Sequence, residues 1–272
     1  MSSASPDHGL TGVAKTLLTP LYGRAHAHEL APDADFRDPL AARVLAGTGF
    51  RPSEVLTDRS NAVGSVHRAA VLDGVARRFA ERHPEGTVLS LGAGLCTRDA
   101  RLADAGSEHL RWIGVDTPEV VELRRRLLPD SRVRLLSGSI TEPGWTDAVE
   151  AGPGPALVIA EGVLMYLDGR EVSRVLSDVH RRFGPGTRFA ADFFHPLLAH
   201  SGLHPIVRAT GARFRSGARG SRGLAGLAPG WRAEAEHPVM DRIGPAQGAA
   251  ATVLRVLLLG HRPYAVAELA AD

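Results

Sequence analysis

From residue 87 onward, short apolar runs alternate with stretches whose apolar positions recur at helical spacing. The strand candidates are 87–91 (TVLSL), 111–116 (RWIGVD), 133–138 (VRLLSG), 156–162 (ALVIAEG) and 187–193 (TRFAADF). Helices are predicted between them at roughly 97–105, 117–128, 145–150 and 169–183. Strands that are apolar almost throughout are buried on both faces, so the pattern predicts a mostly parallel sheet with helices on either side. Two later runs, 231–239 (WRAEAEHPV) and 250–263 (AATVLRVLLLGHRP), predict an antiparallel pair closing one edge. The expected fold class is α/β, a Rossmann-like mixed sheet of seven strands with an N-terminal helical cap.

Residues 1–86 carry a helical pattern broken by loops, and we read them as that cap. Residues 87–272 then form the sheet domain, with a Gly/Arg-rich insertion at about 195–230. No internal repeat is visible. The chain has 272 residues, 44% of them hydrophobic and 23% charged, which is enough for a substantial core and unlike a disordered chain. Formal net charge is only +2. The basic runs ELRRRLLP (122–129) and RFRSGARGSRG (213–223) read as a solvated helix face and a mobile loop, and neither interleaves aromatics for base stacking. Nucleic acid is therefore not an expected partner. A single cysteine, Cys96, rules out an intrachain disulfide and a cysteine-rich metal site. With no signal-like N-terminus and no long apolar span, a cytoplasmic protein without membrane association is expected, and no metal. Oligomeric state is not legible.

In a doubly wound sheet, ligands sit beyond the carboxyl ends of the strands. Gly92-Ala93-Gly94 follows the first strand, where missing side chains leave backbone N–H groups accessible. Asp116 ends the second, about twenty residues on, the spacing of a ribose-binding acid. Asp116 also suits the cap of the helix that follows it. Ser139 and Ile140 follow the third strand, suited to an adenine edge and face, and Glu161 ends the fourth. A dinucleotide fingerprint needs a further glycine where Thr97 stands. S-adenosyl-L-methionine has ribose and adenine but no phosphate, and fits the looser turn better.

The segments LSLGAGLCTRDARL, GVDTPEVVELRRRLLP and LVIAEGVLMYL, together with KTLLTPLYGRA and HRAAVLDGVARRFAERHP, resemble the leucine carboxyl methyltransferase-like family, in particular its bacterial branch of polyketide O-methyltransferases. The resemblance covers about the first 195 residues. It implies that Arg68 meets the methionine carboxylate of the cofactor, that Gly92 lies beneath it, and that Asp116 takes the ribose. It likewise implies that Ser139 and Ile140 neighbour the adenine, and that Glu161 lies near the amine and sulfonium. Gly94 belongs to the same turn, and Lys15 is a further residue near the pocket. The chain departs from the family at Cys96, where relatives commonly carry the aspartate of GLDTR; its loss is expected to weaken a network with Thr97 or Arg98, or with the ammonium of the cofactor.

The expected activity is O-methylation of a carboxylate or hydroxyl on a small, polyketide-like acceptor. A carboxylate needs no general base, whereas a hydroxyl benefits from one. Candidate bases are Asp192, His195, His200 and His204, with His195 foremost, and Tyr166 is a candidate positioning hydroxyl. Arg208, Arg213 and Arg215 could neutralise an acidic acceptor. Two other classes stay open: a cofactor-binding accessory protein without transfer activity, and a nicotinamide-dependent oxidoreductase, against which Thr97 counts.

Overall fold

The computed structural model describes residues 16–49, 59–103, 107, 109–201 and 212–272. Lys15, His204 and Arg208 lie outside the described residues. The sheet has seven strands in the order β3-β2-β1-β4-β5-β7-β6. These are β1 Thr87–Leu91, β2 Arg111–Asp116, β3 Arg134–Ser137, β4 Ala156–Ala160, β5 Arg188–Phe194, β6 Trp231–Pro238 and β7 Tyr264–Ala271. The first five are mutually parallel, and β7 runs antiparallel to both β5 and β6. The expected Rossmann-like mixed sheet of seven strands is thus the observed one.

Register decides what the sheet edge presents. Leu91 lies opposite both Val115 and Ala160, and Ala160 lies opposite Ala191. The next residue on each strand therefore stands level with its neighbours, which aligns Gly92, Asp116, Glu161 and Asp192 along one edge. Order reverses between β1 and β4, so this is also where a doubly wound sheet opens a crevice.

Each sheet face is covered. On one side α4 (Arg59–Arg82) lays Leu72, Val75, Ala76 and Phe79 against Val88, Trp112, Leu157 and Ile159. On the other, α7 (Gly169–Phe183) buries Val172, Val175, Leu176 and Val179 against Leu89, Val158 and Phe189. The start of α7 is fixed by a capping box, Asp168 accepting from Glu171 N while the Glu171 carboxylate accepts from Asp168 N. Before α4 come α1 (Leu18–Ala25), the single turn α2 (Ala27–Leu30) and α3 (Pro39–Gly47). Later elements are α5 (Arg98–Arg101), α6 (Pro118–Leu127), α8 (Pro196–Ala199), α9 (Gly220–Ala225) and α10 (Pro245–Leu257).

Four sequence expectations are corrected. The run at 250–263 is not a strand: α10 occupies Pro245–Leu257, and the seventh strand is Tyr264–Ala271. Gly244-Pro245 starts a helix well, and the apolar stretch that mimicked a buried strand points outward, with Val256 74% and Leu257 70% exposed. Among the described residues, the α-helix expected at 97–105 is the single turn Arg98–Arg101, and that at 145–150 is one 3-10 turn, Trp145–Ala148. Finally, 213–223 is anchored rather than loose. Arg215 N donates to Met165 O at 2.7 Å, its guanidinium pairs with Asp168 and Glu171, and α9 follows.

Candidate active site

A cavity of about 350 Å³ opens at this carboxyl edge, within the size range of small-molecule sites. Its inner part is walled by the turn 92–96, Arg68 and Glu161, together with Leu17 and, on α1, Pro20 and Arg24. The glycines are required for a reason other than ligand approach. Gly92 and Gly94 have φ of +62° and +48°, and a Cβ on them would lie 2.5 Å from Val163 Cγ2 and 2.7 Å from Leu17 Cδ2. The turn is packed against the chain's own side chains.

Arg124 locks that turn from below. Only 2% exposed, it donates through Nη1 to the carbonyls of Gly94 (2.9 Å) and Cys96 (2.6 Å). The reading of 122–129 as a solvated face fails at this residue. Arg124 follows Val120 and Val121 at helical spacing, and so belongs to the buried stripe of α6. Gly94 N in turn donates to Asp116 Oδ2 at 2.7 Å, and Thr117 N to Oδ1 at 2.8 Å. Burial raises the Asp116 pKa, with these two N–H groups pulling the other way.

Buried ion pairs link the helices before the sheet to the strand ends. Arg24 and Arg101 both donate to Asp38 Oδ2, at 2.6 and 2.8 Å, while Asp38 Oδ1 caps α3 through Ala41 N. Arg101 and Arg98 share Asp73, and Arg98 Nη2 reaches Glu161 Oε2 at 2.8 Å. Arg68 Nε takes Glu161 Oε1 at 3.1 Å, and its Nη1 donates to Asp192 Oδ2 at 3.0 Å and to the Tyr264 hydroxyl at 3.2 Å. Tyr264 itself donates to Asp192 Oδ2 at 2.8 Å, and Gly162 N to Oδ1 at 2.6 Å. Burial alone would raise the Glu161 pKa, but the Arg68 and Arg98 guanidiniums hold it at about 2. The same opposition lowers Asp38, where Arg24 and Arg101 outweigh burial.

The sequence candidates fall into groups. Arg68, Gly92, Gly94, Glu161 and Tyr166 line the cavity, and Asp116 is bound to its Gly94 wall. Ser139 and Ile140 are not on that wall: the Ser139 hydroxyl bonds Thr141 Oγ1, and Ile140 packs in the main core. His195 is also off it, buried at the N-cap of α8, where Nδ1 accepts from Leu197 N. His200 bonds the backbone carbonyls of Pro196 and Arg215. Asp192 has both oxygens engaged, and His195 lies off the cavity wall. Cys96 lines the cavity with Arg98 Nη1 3.6 Å from its sulfur, and Thr97 and Arg98 are held by Asp38, Asp73 and Glu161. Sequence reasoning missed Arg24, Arg124 and Tyr264.

The outer part of the cavity is aromatic. Phe194 stacks on Tyr264 (4.4 Å between centroids) and on Phe214 (5.0 Å), and Tyr166 meets Phe214 edge-on at 5.4 Å. The Tyr166 hydroxyl is bonded to Thr16, and burial raises its pKa.

The family described as leucine carboxyl methyltransferase matches residues 18–180, which contain the glycine turn, Asp116 and Glu161 in their observed places. The chain belongs to the leucine carboxyl methyltransferase family. Members of this family take their methyl group from S-adenosyl-L-methionine, and this chain is such a methyltransferase. It is 33% identical over 233 residues to the tetracenomycin polyketide synthesis O-methyltransferase TcmP of Streptomyces glaucescens, covering 85% of each chain. It is 32% identical over 200 residues to the S-adenosyl-L-methionine-dependent methyltransferase dpfgK of Gibberella zeae, covering 67% of this chain and 66% of that one. Among solved structures, an S-adenosylmethionine-dependent methyltransferase from Mesorhizobium loti superposes with a TM-score of 0.49 at 16% identity, covering 72% of this chain and 96% of the other. Among the described residues no helix is long and apolar enough to cross a membrane.

Proposed function

We propose that this methyltransferase acts on an oxygen of a small aromatic, polyketide-like acceptor, and that the reacting group is a carboxylate. The observation that carries this reading is the set of titratable side chains around the cavity. Among the described residues they are Arg24, Arg68, Cys96, Glu161, Tyr166 and Tyr264. Glu161 holds its charge down to about 2, so it is far too weak a base for a phenol, and both tyrosine hydroxyls are raised and hydrogen-bonded. An acceptor already ionised at neutral pH needs none of them.

The residues present fit the cofactor. Arg68 Nη2 makes no hydrogen bond among the described residues, while its other nitrogens are engaged, so it offers donors for a carboxylate. Each Asp116 oxygen accepts one backbone N–H and keeps a lone pair for a ribose hydroxyl. Glu161 presents negative charge toward an ammonium. The bound cofactor supplies an electrophilic methyl on sulfur. The chain's own work is to fix the two partners' orientation and to exclude water from between them, with α1 over the inner end and the rings around the outer one. The aromatic wall and the resemblance to TcmP support a polyketide-like acceptor.

Calorimetry with S-adenosylhomocysteine tests the cofactor half, and mass spectrometry of an incubation with S-adenosylmethionine and an aromatic acid tests the transfer. A methyl ester is the expected product. Absence of cofactor binding at millimolar concentration, or an aryl ether from a hydroxy acid with its carboxyl untouched, overturns the reading.

A further inference from the structure

α4 contributes Ser60 to the cavity and, beside it, a stripe made of Asn61, Gly64, Ser65 and Arg68. These are positions i, i+3, i+4 and i+7, a single helix face. Seven residues at 1.5 Å rise separate the Arg68 and Asn61 levels by about 10 Å along the axis. Arg68 stands at the charged inner end. Asn61 stands where the first turn of α4 meets α10, the two being tied by Gln247 Nε2 donating to Ser60 Oγ at 2.9 Å. The Phe194 and Phe214 rings and Ile243, which have no hydrogen-bonding capacity, are also part of the cavity lining. Gly64 keeps the stripe flat: a Cβ there would lie 3.1 Å from Ile243 Cδ1.

The Ser65 hydroxyl is taken by the Asn61 carbonyl, but the Asn61 carboxamide makes no hydrogen bond among the described residues, although the residue is half-buried. A carboxamide offers two donors and two acceptor sites. Facing a largely apolar cavity, it is a recognition group without its counterpart. We propose that Asn61 is a specificity-determining residue, which reads a hydroxyl or carbonyl at the far end of a flat acceptor, α4 setting its distance from the reacting end. The acceptor class is then a fused-ring acid carrying a polar group opposite its carboxylate. This rests on the methyl-transfer reading of the same cleft.

The test compares a naphthoic acid with and without a hydroxyl on the far ring, titrated into protein saturated with S-adenosylhomocysteine. A net hydrogen bond of about 0.5–1.5 kcal/mol corresponds to a preference of about 2- to 12-fold for the hydroxylated acid in the native protein. Asn61→Ala and Asn61→Leu are expected to abolish that preference while leaving the affinity for S-adenosylhomocysteine and the melting temperature unchanged. Equal binding of the two acids to the native protein, binding of neither, or a preference that survives both substitutions overturns the proposal. Failure of S-adenosylhomocysteine itself to bind overturns the methyl-transfer reading as well, which keeps the two failures apart.

Discussion

At the sheet edge the cleft is walled by charged side chains that fix one another, whereas farther out it is walled by rings and aliphatic chains in van der Waals contact. Arg68 touches Glu161, Asp192 and Tyr264 at once, so its guanidinium has one orientation before any ligand arrives. Phe194, Phe214 and Tyr166 are held by ring contacts of 5.0 and 5.4 Å, which tolerate small shifts. Directional bonds suit a group that is the same in every turnover, and adaptable packing suits a partner that differs between relatives. Tyr264 belongs to both halves, its hydroxyl in the ionic part and its ring in the aromatic part.

The largest expected effect comes from breaking the ionic half at its centre. Asp73→Ala removes one of the two carboxylate partners of Arg98 and of Arg101, both buried, and is expected to cost about 3–5 kcal/mol in urea unfolding. A loss under about 1 kcal/mol would mean that the ion pairs do not hold the helices to the strand ends. Acid should weaken the same half through Glu161. Its folded pKa lies below the ordinary 4.5, so the stability it contributes is complete above pH 4.5 and is lost as the pH falls toward about 2. The urea midpoint followed over that window should fall more steeply for the native protein than for Glu161→Gln. Asp116→Ala removes the acceptor that holds Gly94 N and would serve the ribose. A lost charged hydrogen bond of about 1.5–3 kcal/mol lowers cofactor affinity by about 10- to 150-fold in calorimetry, and unchanged affinity would misplace the ribose. Phe214→Leu is the smallest change. Loss of ring contacts of about 0.5–1.5 kcal/mol should weaken an aromatic acid about 2- to 12-fold and leave S-adenosylhomocysteine untouched. An equal effect on both ligands would erase the distinction between the halves.

The strands that build the inner half were legible because Val, Leu and Ile crowd into runs too short for helices, as in 87–91 and 156–160. Gly92, Asp116 and Glu161 were legible because each ends such a run. Arg98 and Asp73 were not, since their pairing spans 25 residues and depends on how α4 lies on the sheet. Tyr264 was lost with the misplaced seventh strand: the exposed apolar residues of α10 imitate a buried strand, and only the pairing of Phe194 with Tyr264 reveals the true register. Arg124 was within reach. In a triplet of arginines the helical spacing from Val120 selects it as the inward one, a signal hidden by reading 124–126 as a block. Asn61 carries no local sign at all, because a polar residue on a helix looks the same facing water or facing a cavity.

The buried ion chain has a further consequence for how the cleft meets its ligands. Arg24, Arg68, Arg98 and Arg101 are matched by Asp38, Asp73, Glu161 and Asp192, so the chain of charges sums to zero. A neutral, desolvated array projects little field beyond its own contacts, and mobile ions do not reach it. The strength of the grip at the sheet edge is thereby uncoupled from ionic strength: it steers nothing from a distance and is felt only at contact.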